Sequence, residues 1–370
     1  MADAFGGGDS GLRAGDAFSG RAFISSRTAL SPNETGSTAL DELEFLSSEA
    51  FGGKATSGRG GNANTNEVRV LVLNGTTINL PDVVGYPLLI HNTALGGSTS
   101  ANDSFAGTAS LGQIRIELRD QGADLDRLSV ISTGIGGSVI GDAERSRGED
   151  AFGGSWIFQF GDTTLDVAFD EISLKLIGVQ APANLLGIGG SVLSNSLTFN
   201  VANSTLIVRS DLAVTTQPIG GSGELDGSAN ANGGTINFEN SAVYIAGDLQ
   251  IEASSIGGDS LSGFVFDPQT GAEPSSAGGE APTFDNELDA LNTDLGVGEA
   301  IALTNSAMGG NALSGSGGMA TAAASKQAGI IGGGNYALDG LVRAFVGAGA
   351  RGGGKLLACA RRLQRDPASG

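Results

Sequence analysis

The side chains that most often do chemistry in proteins are sparse in this chain of 370 residues. It contains one histidine, His91, and one cysteine, Cys359. A serine–histidine–aspartate site would have to use His91, and a histidine-rich metal site is excluded. Because His91 follows Ile90 at the end of a short apolar run, we predict a solvated strand-edge residue and not a catalytic base.

Carboxylates are the other candidates, because solenoid lyases and hydrolases use acidic groups on one outer face. Two clusters occur, and their members are Asp124 with Asp126, and Asp166 with Asp170 and Glu171. The alternation of Leu165, Asp166 and Val167 points the carboxylate outward. Hydrolysis of a glycosidic bond needs two carboxyls at a set separation, which the sequence leaves open. We predict ordinary surface charge, with catalysis as the alternative.

The glycine motifs and the large aromatic residues suggest no ligand site. The Gly-x-Gly motifs at 134–136 and 187–189 lack the third glycine and the strand-to-helix setting of a dinucleotide site. The Gly-Gly-Asp stretches near 6–9 and 257–259 lack the tandem repeat of a calcium β-roll. We expect Trp156 and neighbouring Phe158 to pack in the core, with a sugar-stacking platform as the alternative. The prediction is therefore no catalytic residue, no cofactor and no metal ligand.

The elements that would position any site are short strands in a repeat. Three apolar-x-apolar pairs begin at Ile236, Val243 and Leu249, each with the period-two alternation of a strand that buries one face. Leu206 and Leu212 precede Val243 and Leu249 by the same 37 residues. Strands this short, joined by two- or three-residue corners, indicate coils of a β-solenoid better than a hairpin or a sandwich.

An apolar-Gly-Gly motif closes each predicted coil. Its first glycine recurs at five places, namely Gly96, Gly136, Gly189, Gly220 and Gly257. The uneven spacings of 40, 53, 31 and 37 residues indicate insertions after the glycine pair. A solenoid tolerates such insertions because each coil contacts only its neighbours. We therefore predict that the loops at 98–108 and 142–150 project from one side.

Composition and charge exclude several classes of protein. The chain holds 62 glycines and only 5% aromatic residues, which fits a thin β core with many corners. Its net charge of −20 repels nucleic acid and anionic membranes, so we predict neither as a partner. The sequence contains neither the long apolar run of a transmembrane helix nor the pattern of a signal peptide.

Changes in composition divide the sequence into four predicted segments. They are a low-complexity or frayed coil segment at 1–49, a β-solenoid at 50–266, an acidic Pro/Gly linker at 267–300 and a Gly/Ala-rich tail at 301–370. Short helices are predicted at 284–295 and 355–365. We expect the termini to be disordered.

The repeat style resembles that of a known group of proteins. Gly-Gly-Thr-Ile-x-Phe at 233–238, Gly-Asp-Leu-x-Ile-x-Ala-Ser at 247–254 and Ile-Gly-Gly at 256–258 resemble the passenger regions of bacterial filamentous-haemagglutinin-like and autotransporter-type surface proteins. The resemblance covers about residues 50–265 and is clearest over 191–260. It implies an all-β fold, a right-handed parallel β-helix with irregular glycine-rich loops, and an extracellular or outer-surface location.

The function that this resemblance implies is presentation of surface loops. Loops on one side of a rod would contact a surface glycan or a protein receptor, and the exposed end strands would stack on further coils of the same polypeptide. We expect a non-enzymatic, secreted or cell-surface structural or adhesive segment. The alternative is a solenoid carbohydrate-active enzyme, such as a polysaccharide lyase or a phage depolymerase. A cleft lined by Asp, Arg and aromatic residues of neighbouring coils would favour that alternative.

Overall fold

The structure is a computed structural model, and the ranges it describes contain strands and no helix. The strands stack in parallel sheets, an arrangement consistent with a β-solenoid, and the predicted all-β class is confirmed. The described residues are 2–7, 13–27, 36–39, 45–73, 76–79, 88–119, 123–140, 146–161, 167–180, 189–194, 197–222, 227–260, 278–311, 318–322, 326–331, 345–352 and 355–359.

The strands are short, and most have between two and eight residues. The first ten are β1 (Ala2–Phe5), β2 (Ala17–Phe18), β3 (Ala22–Arg27), β4 (Gly36–Ala39), β5 (Phe45–Phe51), β6 (Ala63–Asn64), β7 (Val68–Leu73), β8 (Thr76–Asn79), β9 (Leu88–Leu95) and β10 (Ala109–Ser110). The next ten are β11 (Ile114–Arg119), β12 (Ala123–Gly136), β13 (Ala151–Phe152), β14 (Trp156–Gly161), β15 (Val167–Gln180), β16 (Val192–Leu193), β17 (Leu197–Ala202), β18 (Thr205–Val208), β19 (Leu212–Ile219) and β20 (Ala229–Asn230). The others are β21 (Gly234–Glu239), β22 (Ala242–Ile245), β23 (Leu249–Ile256), β24 (Ala281–Thr283), β25 (Glu287–Leu291), β26 (Asp294–Val297), β27 (Ile301–Met308), β28 (Ala320–Ala322), β29 (Lys326–Ile331), β30 (Phe345–Gly352) and β31 (Lys355–Cys359).

Three parallel sheets run along the stack. Sheet 1 has eight strands in the order β3-β7-β11-β14-β17-β21-β25-β29. Sheet 2 follows the path β1-β5-β9-β12-β15-β19-β23-β27-β30, with the short strands β4, β8, β18, β22 and β26 at its side and β31 antiparallel to β30. Sheet 3 contains the two-residue strands β2-β6-β10-β13-β16-β20, and β24 pairs with β28. At the usual strand spacing, the eight strands of sheet 1 span about 34 Å.

One repeat unit passes once through each sheet, for example from β17 through β18, β19 and β20 to β21. Paired residues of successive units lie 37–52 residues apart in sheet 1, for example 46 between β3 and β7, 37 between β17 and β21, and 52 between β21 and β25. The predicted 37-residue offset is confirmed, because Leu206 pairs with Val243 and Leu212 pairs with Leu249. Since each residue pairs with its equivalent in the next unit, identical surface positions form rows along the stack.

The widest part of the core lies where sheets 1 and 2 face each other. Trp156, Phe158, Phe160 and Phe199 are at most 1% exposed there, so the predicted core packing of Trp156 and Phe158 is confirmed. The ring centroids of Phe160 and Phe199 lie 5.4 Å apart in an edge-on arrangement. The indole N–H of Trp156 donates a hydrogen bond of 3.2 Å to the hydroxyl of buried Ser132, which satisfies its polar atom.

The core narrows toward sheet 3, where small side chains replace the aromatic ones. The inward residues at the narrow end are Ala50 and Ala94 of sheet 2 and Ala63, Ala109 and Ala151 of sheet 3, all at most 1% exposed. Alanine leaves room for the two sheets to converge. At this narrow end, the chain leaves the stack and later returns to it.

At the narrow end, glycines of the outgoing and returning chain join in a column of backbone hydrogen bonds, which we call the glycine seam; in the described residues it runs from Gly7 to Gly137 and from Gly190 to Gly318. Outgoing and returning glycines alternate, with N···O distances of 2.6–3.1 Å. A Cβ atom on Gly97 would lie 2.0 Å from the carbonyl oxygen of Gly53, so only glycine fits there. The seam residues are Gly7, Gly15, Gly53, Gly61, Gly97, Gly107 and Gly137, and then Gly190, Gly221, Gly227, Gly258, Gly279, Gly310 and Gly318.

The seam corrects one prediction from the glycine spacing. Gly189 does not close a coil as Gly136 does, because Gly136 pairs with Gln180 in the next unit. Gly190 lies on the returning path, and its carbonyl accepts a hydrogen bond of 3.1 Å from Gly221. Both passages through the seam exclude a Cβ atom, so the outgoing and returning glycine pairs look alike in the sequence.

Corners between the strands are stabilised by polar side chains that repeat from unit to unit. Asn203, Asn240 and Asn292 have φ angles of 48–49°, the left-handed region that asparagine tolerates in turns. At the next corner, Asp211 Oδ1 accepts a hydrogen bond of 2.8 Å from the backbone N–H of Asp248. The short corners that the sequence predicts between strands are therefore present, as at 240–241.

The two predicted helices are wrong within the described ranges. Residues 284–295 include β25 and the first half of β26, where the inward residues Leu288, Ala290 and Leu295 are at most 4% exposed. Burial of alternate residues in the sheets overrides the weak helical pattern of this acidic stretch. In the predicted basic helix, β31 occupies 355–359, and 360–365 lie outside the described residues.

The stack also includes parts of the segments predicted to be separate from it. Residues 278–300, assigned to a linker, contribute β24, β25 and β26, and β27 belongs to the predicted tail. Strands β1–β4 and most of β5 lie in the segment predicted to be low-complexity or frayed coil. The remaining linker residues, 267–277, and the final eleven, 360–370, lie outside the described ranges.

The glycine seam predicts a large difference between two glycine substitutions. We expect Gly97→Ala to lower the urea midpoint strongly, because overpacking typically costs about 1–3 kcal/mol and here the obstacle is backbone. Gly161→Ala is the control, because its Cβ would lie 3.8 Å from the nearest atom, the carbonyl oxygen of Ala202. Circular dichroism during urea titration measures both midpoints. Equal midpoints would show that the seam opens at little cost.

Candidate functional site

Beyond the glycine seam, the inserted loops form a second, smaller stack. This side stack comprises the described residues 13–14, 54–60, 98–106, 138–140 and 146–148. Its outgoing segments pair in parallel through Ala55, Thr99 and Val139. Its returning segments pair through bridges from Arg13 to Arg59 and from Phe105 to Arg147. The predicted projecting loops are therefore in register with one another from unit to unit.

The side stack has a small core of its own. Ala55, Thr99 and Ala106 are fully buried, and Val139 is 5% exposed. The hydroxyl of Thr99 donates a hydrogen bond of 2.5 Å to the carbonyl of Gly58. These buried contacts and the backbone bridges hold the loop backbones in fixed positions, so side chains on the outer surface of the side stack are pre-positioned.

One outward position of the returning segments forms an arginine–phenylalanine row. Its members in successive units are Arg13, Arg59, Phe105 and Arg147. The guanidinium carbon of Arg59 lies 6.0 Å from the ring centroid of Phe105, a cation–π contact. Phe105 is 48% exposed, and the side chains of Arg13 and Arg147 are 55% and 41% exposed. A ligand can therefore reach most of the row.

Carboxylates next to the row balance much of its charge. Arg13 forms an ion pair of 2.6 Å with Asp16, and Arg147 forms one of 3.5 Å with Asp150. Exposed pairs of this kind typically contribute about 0–1 kcal/mol, so a ligand can compete for the guanidinium groups. The row therefore offers flat hydrogen-bond donors beside an aromatic face without a large positive potential.

Glu149 lies where the other early units have a seam glycine. Its N–H reaches the carbonyl of Gly137 at 3.4 Å, longer than the other seam hydrogen bonds. Burial raises the pKa of its carboxyl, Arg59 and Arg147 lower it, and Asp150 raises it again, with a net upward shift. The side chain that interrupts the seam is thus also the carboxylate under the arginine–phenylalanine row.

His91 lies within β9, on its outer face, and not at a strand end as predicted. Its neighbours in register are Ser47 and Ile131. Partial burial lowers the pKa of the imidazole, and the charge of Glu49 opposes this shift. Ser47 is only 1% exposed, so its hydroxyl cannot meet a substrate as a nucleophile would. The arrangement therefore does not supply a serine–histidine active site.

The predicted carboxylate clusters map onto two neighbouring long strands. Asp124 and Asp126 lie in β12, and Asp170 and Glu171 lie in β15. In the paired register, Arg127 stands opposite Glu171. The positions of these carboxylate groups, and residue Asp166 as a whole, lie outside the described part of the chain. Their assignment as surface charge stays a prediction.

One buried carboxylate was missed by the reading of the sequence. Glu117 is 4% exposed on the outer face of β11, where it forms an ion pair with Arg115 of its own strand. Arg69, in the neighbouring rung, lies 3.6 Å away. The Arg-x-Glu alternation was the available signal, but the second arginine comes from another unit. One carboxylate with two guanidinium groups leaves a net charge of +1, and these three side chains do not supply the carboxylate pair that glycoside hydrolysis needs.

The described residues contain no group of three His, Cys, Asp or Glu side chains arranged to hold a metal ion. The Gly-x-Gly motif at 134–136 ends strand β12, and the Gly-Gly-Asp stretch at 257–259 lies at the glycine seam. Both therefore serve the backbone geometry of the stack. In the same ranges, none of the elements is an apolar helix of membrane-spanning length.

The raised pKa of Glu149 predicts a pH-dependent effect of Glu149→Gln on stability. The ordinary pKa is 4.5, and the folded-state value is higher, so ionisation in the folded state opposes folding as the pH rises. We expect the urea midpoint of the variant to exceed that of the parent by an amount that grows as the pH rises from about 4. The difference should level off above the folded-state pKa of Glu149.

Urea titrations at several pH values measure this difference. Exposed Glu239→Gln controls for the loss of one negative charge. A difference in urea midpoint that is the same at every pH, or that shrinks as the pH rises, would contradict the raised pKa of Glu149.

Comparison with known proteins identifies no family for this chain. No protein-family model, no curated protein and no solved structure matches it. Its function is therefore argued from the geometry of the stack and the side stack.

Proposed function

We propose that this chain is a segment of a secreted or cell-surface right-handed parallel β-helix that presents its side stack to a surface glycan or a protein receptor. The role is structural and adhesive, without turnover of the bound partner. The observation that carries the proposal is the arginine–phenylalanine row, an accessible set of binding side chains on loops held in register.

The backbones of the side-stack loops are held in place, which a simple connection between two strands would not require. Buried residues such as Thr99 and Ala106, together with bridges between units, fix their backbones. Ordering such a surface before binding reduces the entropy lost when a partner docks. Phe105 is 48% exposed between two arginines of the row, so a partner can reach its aromatic face. Both properties favour a contact surface.

The surface location and the handedness rest on different grounds. Connections between parallel strands of one sheet are right-handed in about 98% of cases, which favours a right-handed coil. The extracellular location rests on the resemblance of the repeats to bacterial passenger regions. The net charge of −20 supports partners other than nucleic acid or an anionic membrane.

The enzymatic alternative is less favoured at the row. Asp16 and Asp150 lie three rungs apart, about 14 Å at the usual strand spacing. Glycoside hydrolases place their two carboxyls about 5–9.5 Å apart. Glu149 adjoins Asp150 but is partly buried, and the charges of Arg59 and Arg147 act on it. Asp16 and Asp150 therefore do not form the carboxylate pair of a glycoside hydrolase.

A binding assay with a turnover readout tests the proposal. The full chain is applied to immobilised neutral polysaccharides, acidic polysaccharides and extracellular-matrix proteins, and the release of reducing ends is followed in parallel. We expect retention on at least one of these surfaces without release of reducing ends. The combined variant Arg59→Ala, Phe105→Ala and Arg147→Ala should lose about tenfold or more in affinity, because it removes the guanidinium and aromatic contacts.

Lys54→Ala is the matched control, since it removes an exposed charge of the side stack that is not in the row. Retention that survives the triple substitution, or no retention at all, would contradict the proposed contact. Release of reducing ends would favour the carbohydrate-active enzyme instead.

A further inference from the structure

A second surface feature lies away from the side stack, on the outer face of three short strands. A shallow groove of about 400 Å³ crosses β18, β22 and β26. Its central residue is Tyr244, which is 49% exposed. Ile207 and Gly296 stand beside Tyr244 in the neighbouring rungs. Because Gly296 has no side chain, one side of the tyrosine ring stays open along the stack.

We propose that this groove binds a neutral glycan, with Tyr244 stacking on one sugar ring. The groove runs across the strands, so it follows the axis of the stack and offers one position every 4.8 Å or so. That spacing is comparable to the length of one sugar residue in a linear chain. The C–H face of a sugar ring is apolar and fits an aromatic surface, while its hydroxyl groups point to the sides.

The polar groups that border the groove suit those hydroxyls. Arg209 lines the groove itself. Asp211 and Asp248 do not line the groove but belong to the corner that follows the same strands, where Asp211 accepts a hydrogen bond from the N–H of Asp248, and Asp248 accepts from the N–H of Ala300 and from Gln250. An apolar floor with an adjacent row of donors and acceptors is the usual make-up of a saccharide site.

The negative charge of the residues around the groove favours a neutral glycan over an acidic one. Arg209 is the single basic residue among residues 197–311, which contain fifteen acidic residues. A polymer with carboxylates or sulfates would be repelled from this part of the stack. The surface therefore differs from the arginine–phenylalanine row, where three arginines are present.

A peptide fits this groove less well than a sugar. Strand β22 is already paired with β18 on one side and β26 on the other, so its backbone cannot add a strand. An extended peptide lying across these strands would turn its own N–H and C=O groups toward an apolar floor, where they would lack partners. A sugar ring presents no such groups on its face.

Isothermal titration calorimetry of the full chain tests the inference with cellohexaose and mannohexaose as neutral probes and hexagalacturonate as the acidic one. We expect a neutral probe to bind and the acidic probe to bind more weakly. Tyr244→Ala should weaken binding about tenfold through loss of the stacking face, and Tyr244→Phe should stay within about threefold. Gly296→Val should weaken binding as well, because a side chain there fills the groove beside the ring.

Phe284→Ala, at an aromatic residue that is as exposed as Tyr244 (49%) but does not line the groove, is the matched control and should bind the neutral probes as the parent does. The inference does not depend on the proposed role of the side stack, so failure of one leaves the other testable. Urea midpoints of the groove variants show whether the stack is intact. Equal binding by Tyr244→Ala, tighter binding of the acidic probe, or no binding of either neutral probe would overturn the assignment. So would a self-association that Tyr244→Ala abolishes in light scattering, since a second copy would then occupy the groove.

Discussion

Close approach of backbone to backbone at the glycine seam is the constraint on which the rest of the structure depends. In the described parts of the seam, glycines of the outgoing and returning chain alternate in a column of hydrogen bonds. A Cβ atom on Gly97 would come within 2.0 Å of a carbonyl oxygen, so side chains are excluded by hard contact. The high glycine content of the chain is therefore a packing requirement at least as much as a means of turning.

The seam allows one solenoid-like stack to carry a second stack beside it. Aromatic residues such as Phe160 and Phe199 fill the wide end of the main core, and alanines such as Ala109 bring the sheets together at the narrow end. Beyond the seam, insertions of different length remain in register because their ends are fixed. This arrangement converts loops into a pre-positioned surface, which is the physical basis for a contact function.

The two candidate surfaces differ in chemistry because they lie on different parts of the repeat. The arginine–phenylalanine row combines guanidinium groups with an aromatic ring and nearby carboxylates. The groove at Tyr244 has an apolar floor in a strongly acidic region. Both depend on the register of the rungs, since Arg59 and Phe105 of the row and Tyr244 and Gly296 of the groove come from different units of the repeat. One chain can therefore offer distinct contacts without a conventional binding pocket.

The sequence by itself determined the class of fold and the 37-residue offset, because period-two burial and short corners are local properties. It also placed Trp156 and Phe158 in the core. It was wrong about the helix at 284–295, where pairing with neighbouring rungs overrides local preference.

Only the tertiary structure decided which glycine pair leaves the stack and which returns, since both exclude a Cβ atom for the same reason. The sequence likewise could not predict which surface side chains lie next to each other. Arg59 and Phe105, or Tyr244 and Gly296, become neighbours only when rungs of unequal length stack in register.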